Sequence, residues 1–300
     1  MNLSSANAGY QKLLAMTLAN VSGLKIISIN VNGLGNYGKR VNFVTHIENL
    51  KADVVCLIDS RLSDVDARQF QNEADKFSWF FAPGIYVGNA ISRGIAVGFK
   101  KGSLAIPGYL EILAAGNIAR INFKYEGHEF ALYAIYGPSN ADSPMFFEGL
   151  FNECAVAQER FKIITGDFNV PLNFNIDTEN CTTDSRKRAR EKIKSKMLDF
   201  NFVDIFRKLH GNKKMYTWHS PAGTKKSRLD YFLTSSNLVP VIKKVGSGIF
   251  FQSYHRMIDI FLDFSNVKSG AKRWRFTPKM RQDIALKNVI RTEIRECVTR

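Results

Sequence analysis

"IITGDFNVPLN", residues 163 to 173, joins a β-branched run to a glycine, and then to an acid and an amide two residues apart. Behind Phe161 the run reads as a buried strand. Gly166 lets another stretch of backbone approach closely, and on an extended chain Asp167 and Asn169 point to the same side. The same kind of ending recurs along the chain. Asn30 and Asn32 follow "IISI", Asp59 follows "VVCLI", Asp230 sits in "SRLDYFL", and His255 comes after "IFFQS". Taken singly, "NVNGL" reads as a turn and Asp59 as a cap or a solvated charge. Asp230, flanked by apolar residues, needs a partner if it is partly buried, and a histidine meets that need. Strand ends converge in α/β folds, so residues far apart in sequence can build one pocket.

Outward from residue 163 the chain alternates short strand-like runs with helical patterns. "LKIISIN" (24–30), "DVVCLID" (53–59), "RGIAVGF" (93–99), "ARINFKY" (119–125), "EFALYAIY" (129–136) and "FKIITGDF" (161–168) read as strands. "KRVNFVTHIENLK" (39–51) and "SPMFFEGLFNECAVAQE" (143–159) carry apolar residues at helical spacing, with Ser143 as the expected N-cap. A further helix is expected over 185–200, with strands near 215–219, 228–234 and 248–252. The fold class read from this mixture is α/β, with two packed sheets and helices outside rather than one parallel sheet. Three regions are expected: an N-terminal extension (1–23), a domain over 24–264, and a basic linker entering a helical segment over 265–300.

Lys plus Arg outnumber Asp plus Glu by 42 to 27, a net charge of +15 that favours a polyanionic partner, with nucleic acid ahead of an anionic membrane surface. No apolar run approaches the ~20 residues of a membrane span. The first 23 residues lack the apolar centre of a secretory signal. Cys56, Cys154, Cys181 and Cys297 are scattered without CxxC spacing, so reduced thiols and an intracellular location are expected.

Several stretches in this order, "SINVNGL" (28–34), "DVVCLIDSRL" (53–62), "SRGIAVGF" (92–99), "IYGPSN" (135–140), "IITGDFNVPLN" (163–173), "LDFNFVDIFR" (198–207), "YTWHS" (216–220), "SRLDYFLTSSNL" (227–238) and "SYHRMI" (253–258), resemble the endonuclease/exonuclease/phosphatase superfamily. Within it they look like the apurinic/apyrimidinic-type endonuclease domains of non-LTR (LINE-type) retrotransposons. "SRGIAV", "VDIFR" followed by "YTW", and "RWRF" (273–276) favour that branch, the last resembling a link to a downstream reverse transcriptase. The resemblance implies a four-layer sandwich of two mixed β-sheets flanked by helices. It also implies a DNA endonuclease dependent on magnesium or manganese, acting in the nucleus and leaving a 3′-hydroxyl that primes reverse transcription. Asp59 would be the principal metal ligand with Asn32 nearby, the ion neutralising phosphate charge. Asp167 would orient or deprotonate the attacking water, and Asn169 would position it. His255, oriented by Asp230, would donate to a non-bridging phosphate oxygen. Asn30 would hold the acids in place, and the Tyr136 hydroxyl would reach the phosphate.

Three positions depart from the family pattern. Asp59 stands where Glu is usual, Ser139 takes the place of the amide that commonly follows Pro138, and Tyr254 replaces a metal-binding Asp. A phenol with an ordinary pKa near ~10 is neutral at pH 7 and a poor magnesium ligand. The changes at 59 and 254 are expected to impair nicking. "SRKRAREKIKSKM" (185–197) holds seven Lys or Arg residues; Arg186, Lys187 and Arg188 are candidate DNA contacts, set against a merely solvated helix. The competing readings are a DNA-binding module without catalysis, and a repair endonuclease or other phosphoesterase on the same fold.

Overall fold

The computed structural model describes residues 23–250 and 252–265. The N-terminal extension, Cys297 and nearly all of the expected linker and C-terminal helix lie outside them. In chain order the strands are β1 (Leu24–Asn30), β2 (Val54–Ile58), β3 (Phe77–Ala82), β4 (Ile85–Val87), β5 (Ala90–Ser92), β6 (Ile95–Lys100), β7 (Ala105–Ala114), β8 (Ile118–Tyr125) and β9 (His128–Tyr136). They continue with β10 (Phe161–Asp167), β11 (Thr178–Glu179), β12 (Phe202–Asp204), β13 (Trp218–His219), β14 (Lys226–Ser227), β15 (Asp230–Ser235), β16 (Ile242–Ile249) and β17 (Arg256–Leu262).

Two six-stranded mixed sheets result, ordered β16-β17-β1-β2-β6-β3 and β12-β15-β10-β9-β8-β7. Each sheet has helices on its outer face. Phe43 and Ile47 of the helix Tyr37–Asn49, with Ala67 and Phe70 of the helix Asp64–Glu73, pack on Ile27, Val55 and Leu57 of the first sheet. Phe147, Leu150 and Phe151 of the helix Pro144–Val156, with Ala189 and Ile193 of the helix Lys187–Asp199, pack on Tyr133, Ile164 and Leu233 of the second. Between the sheets, Phe99 of β6 meets Phe123 of β8 edge-on, with ring centroids 5.5 Å apart. A full burial of each such side chain favours the fold by ~1.5–3 kcal/mol. The expected sandwich of helix, sheet, sheet and helix is therefore the observed one.

Sequence periodicity missed several elements, among them the helix Asp64–Glu73 and the strands β3, β7 and β17, of which β3 and β17 are strongly apolar. The helix Asp64–Glu73 buries only Ala67 and Phe70, and its start is set by a reciprocal cap in which Ser63 accepts from the Asp66 N–H while Asp66 accepts from Ser63. Edge strand β7 contains Pro107 and Gly108 and breaks register there. Two expectations are corrected. The strand expected at 248–252 is instead β16, ending at Ile249, with β17 starting only after His255, because Gln252 to Tyr254 turn the chain between them. Ser143 stands at the N-cap of its helix, but its side chain makes no capping bond; Pro144 at the first turn starts the helix.

Register carries the fold into the site. In the second sheet Asp167 lies opposite Tyr136 on β9 and opposite Asp230 on β15. In the first, Asn30 at the end of β1 lies opposite Ile58, one residue before Asp59. Gly166 has φ +134°, and a Cβ there would stand 2.1 Å from the Ile135 carbonyl oxygen, so only glycine lets β10 close on β9 at this point.

Candidate active site

Asn30, Asp59, Tyr136, Asp167, Asp230 and His255 sit at or beside strand ends, all drawn to one end of the two sheets. A hydrogen-bonded chain crosses from sheet to sheet. The Asn30 amide Nδ2 donates to Asp167 Oδ2 at 2.9 Å, and the Asn30 Oδ1 accepts from the Asn32 N–H at 2.9 Å. His255 Nδ1 lies 2.9 Å from Asp230 Oδ2, while its Nε2 is 3.7 Å from Asp167 Oδ2. Asn169, with a left-handed φ of 53°, donates its N–H to Asp167 Oδ1 and its Nδ2 to the Gly137 carbonyl. That leaves Oδ1 as the end of the amide able to accept from a water.

The surroundings fix protonation. Burial pushes Asp167 up to about 7, with the Asp230 charge adding to this and the His255 charge and the Asn169 and Asn30 donors opposing it. Burial by itself would lower His255. The charges of Asp230 and Asp167, with the Asp230 hydrogen bond, outweigh it and raise the imidazole to about 9. Tyr136 is pushed up to about 12 by burial and by the charges of Asp59 and Asp167, so it is a neutral phenol able to donate.

Residues that motif reasoning passed over hold this arrangement together. Thr217, fully buried, accepts from the N–H groups of Leu229 and Asp230 through Oγ1, fixing the start of β15. Ser253 accepts from the His255 N–H and donates to the Asn30 carbonyl, tying the histidine loop to β1. Arg228, buried beside Asp230, reaches Asp177 and Asp204 with two nitrogens each. "YTW" and "SRLD" carry a recognisable pattern, but one hydroxyl's two backbone partners are visible only in three dimensions.

The position assigned to a metal ion is built differently. Arg61 Nε and Nη2 donate to the two Asp59 oxygens at 3.1 and 2.6 Å, and Nη2 also donates to Asn32 Oδ1 at 2.9 Å. The Arg93 N–H adds a third donor to Asp59 Oδ1 at 3.2 Å. Burial holds Asp59 above its ordinary value even though Arg61 draws it down, and the same contact raises Arg61. The two-pronged geometry is that of an ionised carboxylate. Tyr254 is 49% exposed and its carbonyl accepts from the His219 N–H. Asp259 does not replace the missing acid, because its carboxylate lies against Gly246 on β16. As they stand, Asp59 and Asn32 do not fit a divalent ion. Asp167, Asp230 and His255 have ligand atoms within 4.8 Å of one another and form an acidic grouping that could hold a cation.

Beside Asn169 opens a cavity of about 320 Å³, bounded by Ser139, Arg186, Trp218 and Leu229 among others. Arg186 donates to the Ser139 carbonyl there. Lys187 is exposed, and Arg188 pairs with Asp142 at 3.2 Å. Further along the same helix, Arg190 is taken by Asp184, and Lys192 and Lys196 by Glu148. Much of that basic segment is thus neutralised internally.

The family model described as "Endonuclease/Exonuclease/phosphatase family" matches residues 27–249, well over half of the chain. The chain belongs to that family. Among curated proteins, an exodeoxyribonuclease of Bacillus subtilis (strain 168) is 26% identical over 237 residues, 72% of this chain and 89% of that protein. Among solved structures, an AP endonuclease from Archaeoglobus fulgidus superposes with TM-score 0.66 at 19% identity, covering 80% of this chain and 99% of that one. The AP endonuclease of Leishmania major gives 0.63 at 21%, covering 80% and 88%. A 3′ phosphatase from Neisseria bound to product DNA hairpin gives 0.61 at 17%, covering 80% and 99%. This endonuclease/exonuclease/phosphatase chain thus shares with these proteins the two-sheet fold. No helix among the described residues is long and apolar enough to cross a membrane.

Proposed function

We propose that this chain is a DNA endonuclease of the non-LTR retrotransposon branch, cutting one strand of target DNA to leave a 3′-hydroxyl. The observation that carries the reading is the closed series Asn30, Asp167, His255 and Asp230, which spans both sheets with a hydrogen bond at each end. Asp167, held by Asn30 and raised by burial, takes the proton of an attacking water at physiological pH; the new P–O bond forms as the bond to O3′ breaks, and the departing oxygen takes a proton from solvent to become the 3′-hydroxyl. His255 remains an imidazolium there, keeps Nδ1–H on Asp230, and offers Nε2–H to the phosphate oxygen as charge builds. The Tyr136 hydroxyl donates to the same phosphate, and Asn169 Oδ1 positions the water. No step is assigned to a metal ion. The "SRGIAV" and "VDIFR" to "YTW" stretches support the branch; in this reading a reverse transcriptase follows in the same polypeptide and the nucleus is the place of action.

The test is conversion of supercoiled plasmid to nicked circle, with and without magnesium or manganese, followed by polymerase extension from the nick. Nicking that yields extendable ends and is lost in His255→Ala supports the reading. No nicking, with duplex binding untouched by His255→Ala, would establish a binding module instead. A second reading has its own observation: the cavity beside Asn169 and Trp218 has room for a sugar turned out of the helix. The AP endonucleases that share the fold favour including that arm. Cleavage of an abasic duplex in strong preference to intact plasmid would favour repair-type cutting over target nicking.

A further inference from the structure

The loop after β2, "DSRL" (59–62), folds back on itself, with left-handed φ of 55° at Asp59 and 51° at Arg61. That hand brings the two side chains, two residues apart, into a two-pronged ion pair. The loop is anchored from outside, since the Arg61 N–H donates to the Arg93 carbonyl at 2.7 Å and the Gly84 N–H donates to the Leu62 carbonyl at 3.0 Å. Asp59 is 3% exposed at its side chain and Arg61 is 41% exposed, so the guanidinium covers the carboxylate and meets solvent beyond it. Nη1 of Arg61 takes no hydrogen bond among the described residues. A second cation stands close by: Lys39 Nζ donates to the carbonyls of Val31 and Asn32, near enough for the charges of Lys39 and Arg61 to act on each other.

One carboxylate therefore faces two side-chain cations, a local sum of one positive charge. A divalent ion is bound by oxygens that carry surplus negative charge, and here three of the carboxylate's roughly four lone-pair sites, both of those on Oδ1 included, are already taken by N–H donors. A phosphate meets the opposite situation: a guanidinium with an open edge, held rigidly in place. Tyr254 stands where the family resemblance puts a second acid, so no further carboxylate from that position adds to the balance.

We propose that Arg61 is the resident cation of this active site, its guanidinium standing where the family resemblance puts a metal ion and binding the scissile phosphate directly. The identity of that phosphate as part of DNA rests on the nuclease reading; the exclusion of a divalent ion from Asp59 and Asn32 does not. Arg61 is then a substrate-contacting residue, and Asp59 is its positioning residue.

The test uses the whole chain and two readouts other than turnover. Manganese binding is followed by electron paramagnetic resonance in the unmodified chain, Arg61→Ala, Arg61→Gln and Arg61→Ala/Asp59→Asn. Removing Arg61 is expected to raise manganese affinity by about tenfold or more. The added Asp59→Asn change should abolish the gain. Arg61→Gln keeps the length without the charge and should behave as Arg61→Ala if the latter folds poorly. In EDTA, the unmodified chain should bind a fluorescent DNA duplex, and loss of Arg61 should flatten the salt dependence by roughly 0.9 in log–log slope. Arg61→Lys should restore the slope. The proposal is overturned if the unmodified chain binds a manganese ion that Asp59→Asn removes and Arg61→Gln leaves unchanged, or if EDTA abolishes DNA binding. If both readouts come out as expected and the unmodified chain does not nick, the nuclease reading fails and the assignment of Arg61 stands.

Discussion

Replacing Asp230 by Asn keeps an oxygen to accept the His255 Nδ1–H across 2.9 Å and removes only the charge. His255 is raised from 6.5 to about 9, in spite of burial that works the other way. That gap corresponds to about 3 kcal/mol in favour of the imidazolium, and because burial opposes it, the charges of Asp230, Asp167 and Asp59 together contribute more than this net figure. Asp230 acts most strongly of the three and also holds the ring by a hydrogen bond, so its neutralisation should lower the His255 midpoint by about one pH unit or more, a ~10-fold or larger change in the protonation equilibrium. The chain has five histidines, so ring Cε1–H resonances can be titrated by NMR, with His255→Ala identifying the one of interest. A midpoint in Asp230→Asn within half a unit of the unmodified chain would refute the account. Two consequences share its sign. A folded-state value raised above 6.5 stabilises the fold fully below about 6.5, and this contribution is lost as pH rises through about 9. Denaturant midpoints should fall over that window in the unmodified chain and follow a different course in His255→Ala, where Asp167, relieved of the His255 charge that opposes its rise, is the group left titrating. The nicking rate should likewise lose activity above about 9, and Asp230→Asn should move that limb to lower pH.

Gly166→Ala puts a Cβ 2.1 Å from the Ile135 oxygen at φ +134°, and is expected to destabilise by at least ~3 kcal/mol in urea unfolding; an unchanged midpoint would contradict the reading of the β9–β10 approach. Arg228→Met leaves Asp177 and Asp204 buried without their shared cation and should cost about 3–5 kcal/mol in the same experiment. Charge reversal at Arg186, which lines the cavity, and at exposed Lys187 should weaken duplex binding and flatten its salt dependence. Reversal at Arg188 should do less to binding, because its charge is already met by Asp142, and equal effects at all three would argue for a diffuse basic surface.

Much of the site was legible because its residues sit where strand periodicity stops. The β-branched runs before Asn30, Asp59 and Asp167 are buried strands, and a polar group just past such a run is placed at a sheet end by the two-residue repeat alone. That Asp230 needs a partner followed from the same logic, since a carboxylate among apolar neighbours is costly alone, while the choice of His255 among five histidines came from the family resemblance. Some hidden elements lack a periodic signal, namely the polar helix Asp64–Glu73, stabilised at its cap, and the bulged edge strand β7, but the apolar strands β3 and β17 also went unread. The supporting bonds of Thr217 and Ser253 were equally out of reach, because a hydroxyl's partners are not written in its neighbours.

Residue type and spacing by themselves determined the α/β class, most of the strands along the chain, and the acids and amides at their ends; the family resemblance, not spacing, marks position 254 as one where an acid is usual. Tertiary structure alone decided what Asp59 does. Its pairing with Arg61 depends on two non-glycine residues in the left-handed region, and on the loop carrying Arg93 and Gly94, which packs in from 30 and more residues away. Backbone hand at a non-glycine position is a property of the surroundings that enforce it, so the same "DSRL" could present Asp59 to a metal ion or close Arg61 over it. The fold around this loop chose the second.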